Sequence, residues 1–134
     1  MKKILIAVVF IACYAGTCRK NPFIERVYSI KVINNGTTGI AALLSYQYPD
    51  TTIPDNYNRV GGILPNDFRY LDSQKPWKDV FQQLPKDTLS LFFFSIDTLK
   101  TYDWQKIRNE NKILTRLDLS FQDLMNSGYK ISYP

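Results

Sequence analysis

With no histidine in the sequence, acid–base chemistry would fall to twelve carboxylates, ten Asp and two Glu. The missing imidazole removes the commonest general base, the Ser-His-Asp and Cys-His arrangements and most transition-metal sites. Gly61-Gly62 is not followed by the Gly-Lys-Ser/Thr ending that holds phosphate and magnesium. Two carboxylates are enough for a glycoside hydrolase if they face each other across a cleft. With so many aspartates some pair is unavoidable, and sequence alone does not show two converging. The expectation is therefore a non-catalytic binding or accessory domain rather than an enzyme, with a carboxylate-based glycan hydrolase and a purely structural protein–protein interaction module as the alternatives. Asp55-Asn56-Tyr57-Asn58 comes nearest to a calcium loop. Neither alternating frame supplies three oxygen ligands, and no bidentate Glu follows at the required offset. Turn formation by Asn and Asp is the better reading. No metal and no cofactor is expected.

Cysteine chemistry is confined to Cys13 and Cys18. They follow Lys2-Lys3 and the apolar run Ile4–Ala12, with small residues at Ala15, Gly16 and Thr17. A charged start, an apolar run and small residues in that order predict a secretory signal peptide over residues 1–17. A buried core helix is the alternative for the same run. The run is too short to span a bilayer, which needs about 20 apolar residues. The cysteine after it resembles an imperfect lipobox. Cys18 is the expected lipid-attachment residue: it follows Ala15-Gly16-Thr17 at the usual distance, although Thr is bulky there. Cys13 is the alternative, with the better Ala12 before it but a very short signal. Ordinary cleavage near Ala15 would instead release a soluble secreted protein. No cysteine lies beyond Cys18, so the domain holds no internal disulfide.

The formal net charge is +5, of which Lys2 and Lys3 supply two. The remainder is spread along the chain, unlike the clustered basic patch of a nucleic-acid binder. Arg19-Lys20 is the densest basic spot and fits lipid headgroups beside the anchor better than DNA. The expected partners are a membrane, through the lipid, and envelope proteins or glycans. The absence of an acidic cluster after Cys18 points to a periplasm-facing lipoprotein.

The organisation that must position any site is a tether over residues 18–25 and a single globular domain over residues 26–134. Arg26–Ile33 alternates as a strand, Asn34-Asn35-Gly36 is a strong hairpin turn, and Gly39–Gln47 reads as the return strand. Tyr48–Ser73 contains three prolines and many Asp and Asn residues, and reads as a long irregular loop with at most a short strand near Val60–Leu64. Tyr48, Tyr57, Phe68 and Tyr70 in this loop, with Asp50, form the candidate binding surface for sugar or peptide. Alternatively, these aromatics pin the loop to the sheet.

Trp77, Val80, Phe81 and Leu84 share one helix face. Thr88–Ile96 is apolar on both faces and predicts a central strand covered on each side. Thr101 opens a helix through Asn109, and Ile113–Leu119 forms a strand. Ser120-Phe121-Gln122-Asp123 resembles a capping box, and Gly128 stops its helix before a final strand Tyr129–Tyr133. The fold class is α+β: a mostly antiparallel sheet of about five strands, an N-terminal β-hairpin and short helices packed on it.

Several segments carry a resemblance. Tyr48-Pro49-Asp50-Thr51-Thr52-Ile53-Pro54, Tyr102-Asp103-Trp104, Ile113-Leu114-Thr115-Arg116, Leu117-Asp118-Leu119-Ser120 before Asp123-Leu124, and the ending Tyr129-Lys130-Ile131-Ser132-Tyr133-Pro134 are its carriers. The chain from Cys18 onward resembles small uncharacterised lipoproteins of gut bacteria of the Bacteroides group, although Tyr129 stands where such relatives often have Trp. The resemblance implies secretion and lipidation and supplies no activity. Asp50-Thr51-Thr52, Asp87-Thr88-Leu89 and Asp97-Thr98-Leu99 resemble that group's O-glycosylation pattern, with Thr51 the best placed. Asp-Thr is also ordinary turn and cap chemistry.

Overall fold

The computed structural model describes residues 28–55 and 61–134. The expected signal peptide, tether, Cys13, Cys18 and Tyr57 lie outside the described residues, as do Asn56 and Asn58.

The class is α+β, as the patterning predicts, with seven strands among the described residues in two sheets. The first sheet has the order β4-β1-β7. Its members are β1 (Tyr28–Asn34), β4 (Phe68–Ser73) and β7 (Lys130–Tyr133). The second has the order β3-β2-β5-β6. It contains β2 (Ile40–Ser45), β3 (Gly61–Ile63), β5 (Thr88–Ser95) and β6 (Thr115–Ser120). All pairings are antiparallel except β1 with β7.

The expected single sheet is thus two, and the expected hairpin is a corner. Both of its strands and the turn between them form, but β1 bonds β4 and β7 while β2 bonds β3 and β5. The reason lies in Asn34, which is fully buried. Its amide nitrogen donates to the carbonyls of Thr38 at 2.8 Å and Ile63 at 3.1 Å, and its Oδ1 accepts the Gly36 N–H at 3.0 Å. Its backbone N–H donates to Asp67 and its carbonyl accepts from Asn66. One side chain therefore ties the β1–β2 corner to the β3–β4 corner, where the chain crosses back. β2 is also apolar on both faces, which suits an interior strand rather than half of a two-stranded ribbon.

Three layers result. Ile30, Val32, Leu71 and Ile131 of the first sheet meet Ile40, Ala42, Leu89, Leu91 and Phe93 of the second. Trp77 and Phe81 of α1 (Trp77–Phe81) and Leu124 of α4 (Phe121–Asn126) close the same cluster. The opposite face of the second sheet presents Ala41, Leu43, Phe92 and Phe94. Ile53, Leu99 of α2 (Ile96–Thr101) and Ile107 of α3 (Trp104–Asn109) cover it. β5 is the covered central strand that its two apolar faces predict.

Helix boundaries follow local chemistry. β5 ends one residue earlier than expected, because the Ser95 hydroxyl accepts the Asp97 N–H and starts α2. Thr101 closes that helix instead of opening the next, its hydroxyl donating to the Asp97 carbonyl at 2.7 Å. Asp103 caps α3 through the Lys106 N–H at 2.9 Å. The Ser120/Asp123 capping box is present in both directions. Gly128, at φ +62°, turns the chain out of α4.

The hydroxyl and backbone N–H of Ser120 hold the Asp123 carboxyl below its ordinary value. A depressed carboxyl contributes stability above the ordinary aspartate range and loses it as pH falls through the lowered value. Ser120→Ala is expected to cost about 1 kcal/mol at neutral pH. Asp123→Asn should flatten part of the fall in melting temperature between about pH 5 and pH 2. Parallel acid profiles for wild type and Asp123→Asn would remove the carboxylate from this account.

Candidate functional site

The site begins with the edge of β4 that has no strand partner among the described residues. The Asn34 N–H to Asp67 bond at 2.9 Å fixes the phase of the β1–β4 ladder. By the alternation of antiparallel pairs, Val32 with Arg69 and Ile30 with Leu71 are the bonded pairs. Tyr70 and Asp72 therefore turn their backbone amides to the open side, as does Phe68, whose N–H is taken by the Asp67 carboxylate at 2.8 Å. Side chains alternate in the other sense. Phe68, Tyr70 and Asp72 lie on the outer face of the first sheet, while Arg69, Leu71 and Ser73 point between the sheets.

Beside this edge β3 is only three residues long and pairs β2 at Ile40–Ala42 alone. Leu44 and Tyr46, beyond that pairing, line a cleft of about 620 Å³ together with the strand and turn from Arg69 to Lys75. That volume lies within the range of small-ligand pockets. Leu44 and Leu71 supply apolar surface, and Tyr46 and Tyr70 supply aromatic rings that are 38% and 51% exposed. Arg69 lies against Gly61, where any Cβ would run into its guanidinium. Lys75 sits on a turn pinned by Ser73, whose hydroxyl donates to the Lys75 carbonyl at 2.8 Å and accepts its N–H at 3.1 Å. Asp72 is the one carboxylate in the described lining, and its Oδ1 accepts the Ser29 hydroxyl at 2.6 Å across β1. The outer face adds a second aromatic pair. Phe68 meets Tyr70 edge-on at 5.4 Å, and the Lys31 ammonium stands 3.8 Å over the Phe68 ring.

The predicted binding surface is therefore divided. Phe68 and Tyr70 come together, on a strand rather than in the expected loop. Tyr48 and Asp50 belong to the other side of the second sheet. There Arg116 of β6 lies 5.9 Å from the Tyr48 ring and 5.4 Å from that of Phe92. Arg116 also donates to Asp118 at 2.7 Å and to the buried Ser90 hydroxyl at 3.0 Å, while Ser90 donates to Asp118 at 2.6 Å. The Asp50 carboxyl is held below its ordinary value chiefly by the Thr52 backbone N–H and side chain, with Arg116 a minor cause. This segment is held to that face by Ile53, which is buried in the second core and whose carbonyl accepts from Arg108 at 2.8 Å. Thr51 is exposed, whereas Thr88 and Thr98 are half-buried. Asp55 pairs with Arg108 at 3.0 Å. Among the described residues no group of three or more His, Cys, Asp or Glu is placed to hold a metal, and no helix is long and apolar enough to cross a membrane.

Tyr46, Arg69, Asp72 and Lys75 escape the sequence reading. The signal available for them is Arg69 itself, a cation alternating with Phe68 and Tyr70; its place against Gly61 is given by the fold. Comparison of the chain with protein-family models, with curated proteins and with solved structures finds no match.

Proposed function

We propose that the protein is a lipid-anchored component of the cell envelope whose domain binds an oligosaccharide without cleaving it. The observation that carries the binding reading is the cleft at the β4 edge. Its lining combines Tyr46 and Tyr70 with the apolar Leu44 and Leu71 and with charged and polar residues from Arg69 to Lys75. Tyrosine offers a flat apolar ring with a polar tip at low entropy cost, which suits the faces and hydroxyls of a sugar. Hydrolysis needs a second carboxylate facing the first. Asp72 stands alone in the described lining and is committed to Ser29, which favours binding over cleavage. The anchor rests on the N-terminal pattern and on Cys18, with a periplasmic orientation.

On a glycan array, Tyr70→Ala should weaken whichever oligosaccharide the wild type retains by about tenfold, equivalent to about 1.4 kcal/mol. Its melting temperature should stay close to wild type, because exposed substitutions typically change stability by about 0.5 kcal/mol or less. Undiminished binding by Tyr70→Ala would exclude the cleft. A palmitate analogue fed to expressing cells should label the protein and not Cys18→Ala. Label lost from Cys13→Ala instead would move the anchor, and no label on wild type would remove it.

A further inference from the structure

We propose that the saccharide taken by the cleft is anionic, with its carboxylate or sulfate groups met by Arg69 and Lys75. This inference rests on the binding reading and narrows its substrate class. On the far side of the domain Arg108 pairs with Asp55, Lys106 and Lys112 share Glu110, and Arg116 pairs with Asp118. Arg69 and Lys75 line the cleft and have no carboxylate partner among the described residues. Asp72, the one acid in the described lining, accepts the hydroxyl of Ser29 on β1. Among the described lining residues two cations thus stand against one carboxylate, which leaves the cleft a formal excess of one positive charge.

The guanidinium is also positioned. Gly61 offers bare backbone where a side chain would displace it, so Arg69 rests on the end of β3 at the cleft wall. A planar guanidinium held this way matches the two oxygens of a carboxylate or sulfate, and the flexible ammonium of Lys75 adds a point charge. With Tyr46 and Tyr70 also in the lining, the pair fits a uronate or sulfated sugar better than a neutral one.

The test is calorimetry on the full protein with four probes at equal ionic strength: an oligogalacturonate, its fully methyl-esterified and hence uncharged form, a chondroitin sulfate oligosaccharide and polyglutamate. At least one anionic probe should bind, and the methyl ester should bind about tenfold or more weakly than the free acid. A preference for the free acid assigns a carboxylate ligand, and a preference for the chondroitin sulfate assigns a sulfate ester. Arg69→Gln and Lys75→Gln should each lose most of that preference. Gly61→Ala, which keeps the charge but displaces the guanidinium, should lose it too. Equal binding of acid and ester, or retention of neutral glycans alone, overturns the anionic ligand and leaves the binding reading standing. Tighter binding of polyglutamate than of either anionic sugar would show an acidic protein segment to be the ligand and overturn it as well. Binding of no saccharide at all, here or on the array, ends both.

Discussion

Asn34→Ala is expected to lower the unfolding free energy by about 3 kcal/mol, with no change in the denaturant slope. Three hydrogen bonds disappear together, two to the carbonyls of Thr38 and Ile63 and one from the Gly36 N–H. Each is worth about 1 kcal/mol net, and a buried carbonyl left without a donor adds to the loss. For a domain of this size that is a large fraction of a total near 5–15 kcal/mol. Asn34→Asp should be worse at neutral pH, because a carboxylate would face two carbonyl oxygens in a fully buried position. Its penalty should ease as pH falls. A carboxyl whose folded pKa is raised binds its proton in the native state, so stability returns as the group protonates. Urea titrations of both variants at neutral and mildly acidic pH check this. A loss under about 1 kcal/mol for Asn34→Ala would mean that the corners hold without it.

The second large effect concerns β5. Phe92 and Phe93 are neighbours in sequence, both fully buried, and belong to different cores. Phe92 faces the α2–α3 side beneath Arg116, whereas Phe93 faces the other sheet and meets the Tyr133 ring at 5.1 Å. Each Phe→Ala change should cost about 3–5 kcal/mol. Because the side chains lie on opposite faces, the losses should nearly add. The double variant then approaches or exceeds the whole stability of a typical domain and should show no cooperative unfolding transition. Phe68→Ala, on the exposed outer face, is the control and should cost well under either. A cheap Phe92→Ala would contradict the third layer.

These residues also show what was readable in advance. The doubly apolar run from Thr88, the Ser120/Asp123 box and Gly128 declare themselves, because burial on two faces and capping are local patterns. β4 does not. Its outer residues are Phe68, Tyr70 and Asp72, its inner ones include Arg69, and only Leu71 is buried. Alternation therefore carries almost no hydrophobic signal, and the strand depends on its ladder with β1. The corner at Asn34 was hidden for a related reason. Asn-Asn-Gly codes for a tight turn but not for which strands pair on either side, and that choice is made by a side chain bonding residues far along the chain. The cleft was half legible: Tyr70 stood out as an aromatic in a polar stretch, while Tyr46, Arg69 and Lys75 join it only once β4 and the end of β2 are side by side. Tyr48 and Asp50 share the local texture of a binding loop, but their segment is anchored on the opposite face by the buried Ile53.

The most direct measurement of the binding site is a chemical-shift map. Amide spectra of the labelled protein, recorded while an array-selected oligosaccharide is titrated in, should show the largest changes at Tyr46 and from Arg69 to Lys75. Amides around Tyr48, Arg116 and Tyr102 should remain in place. Changes concentrated around Arg116 or Tyr102, with the β4 edge still, would contradict the account.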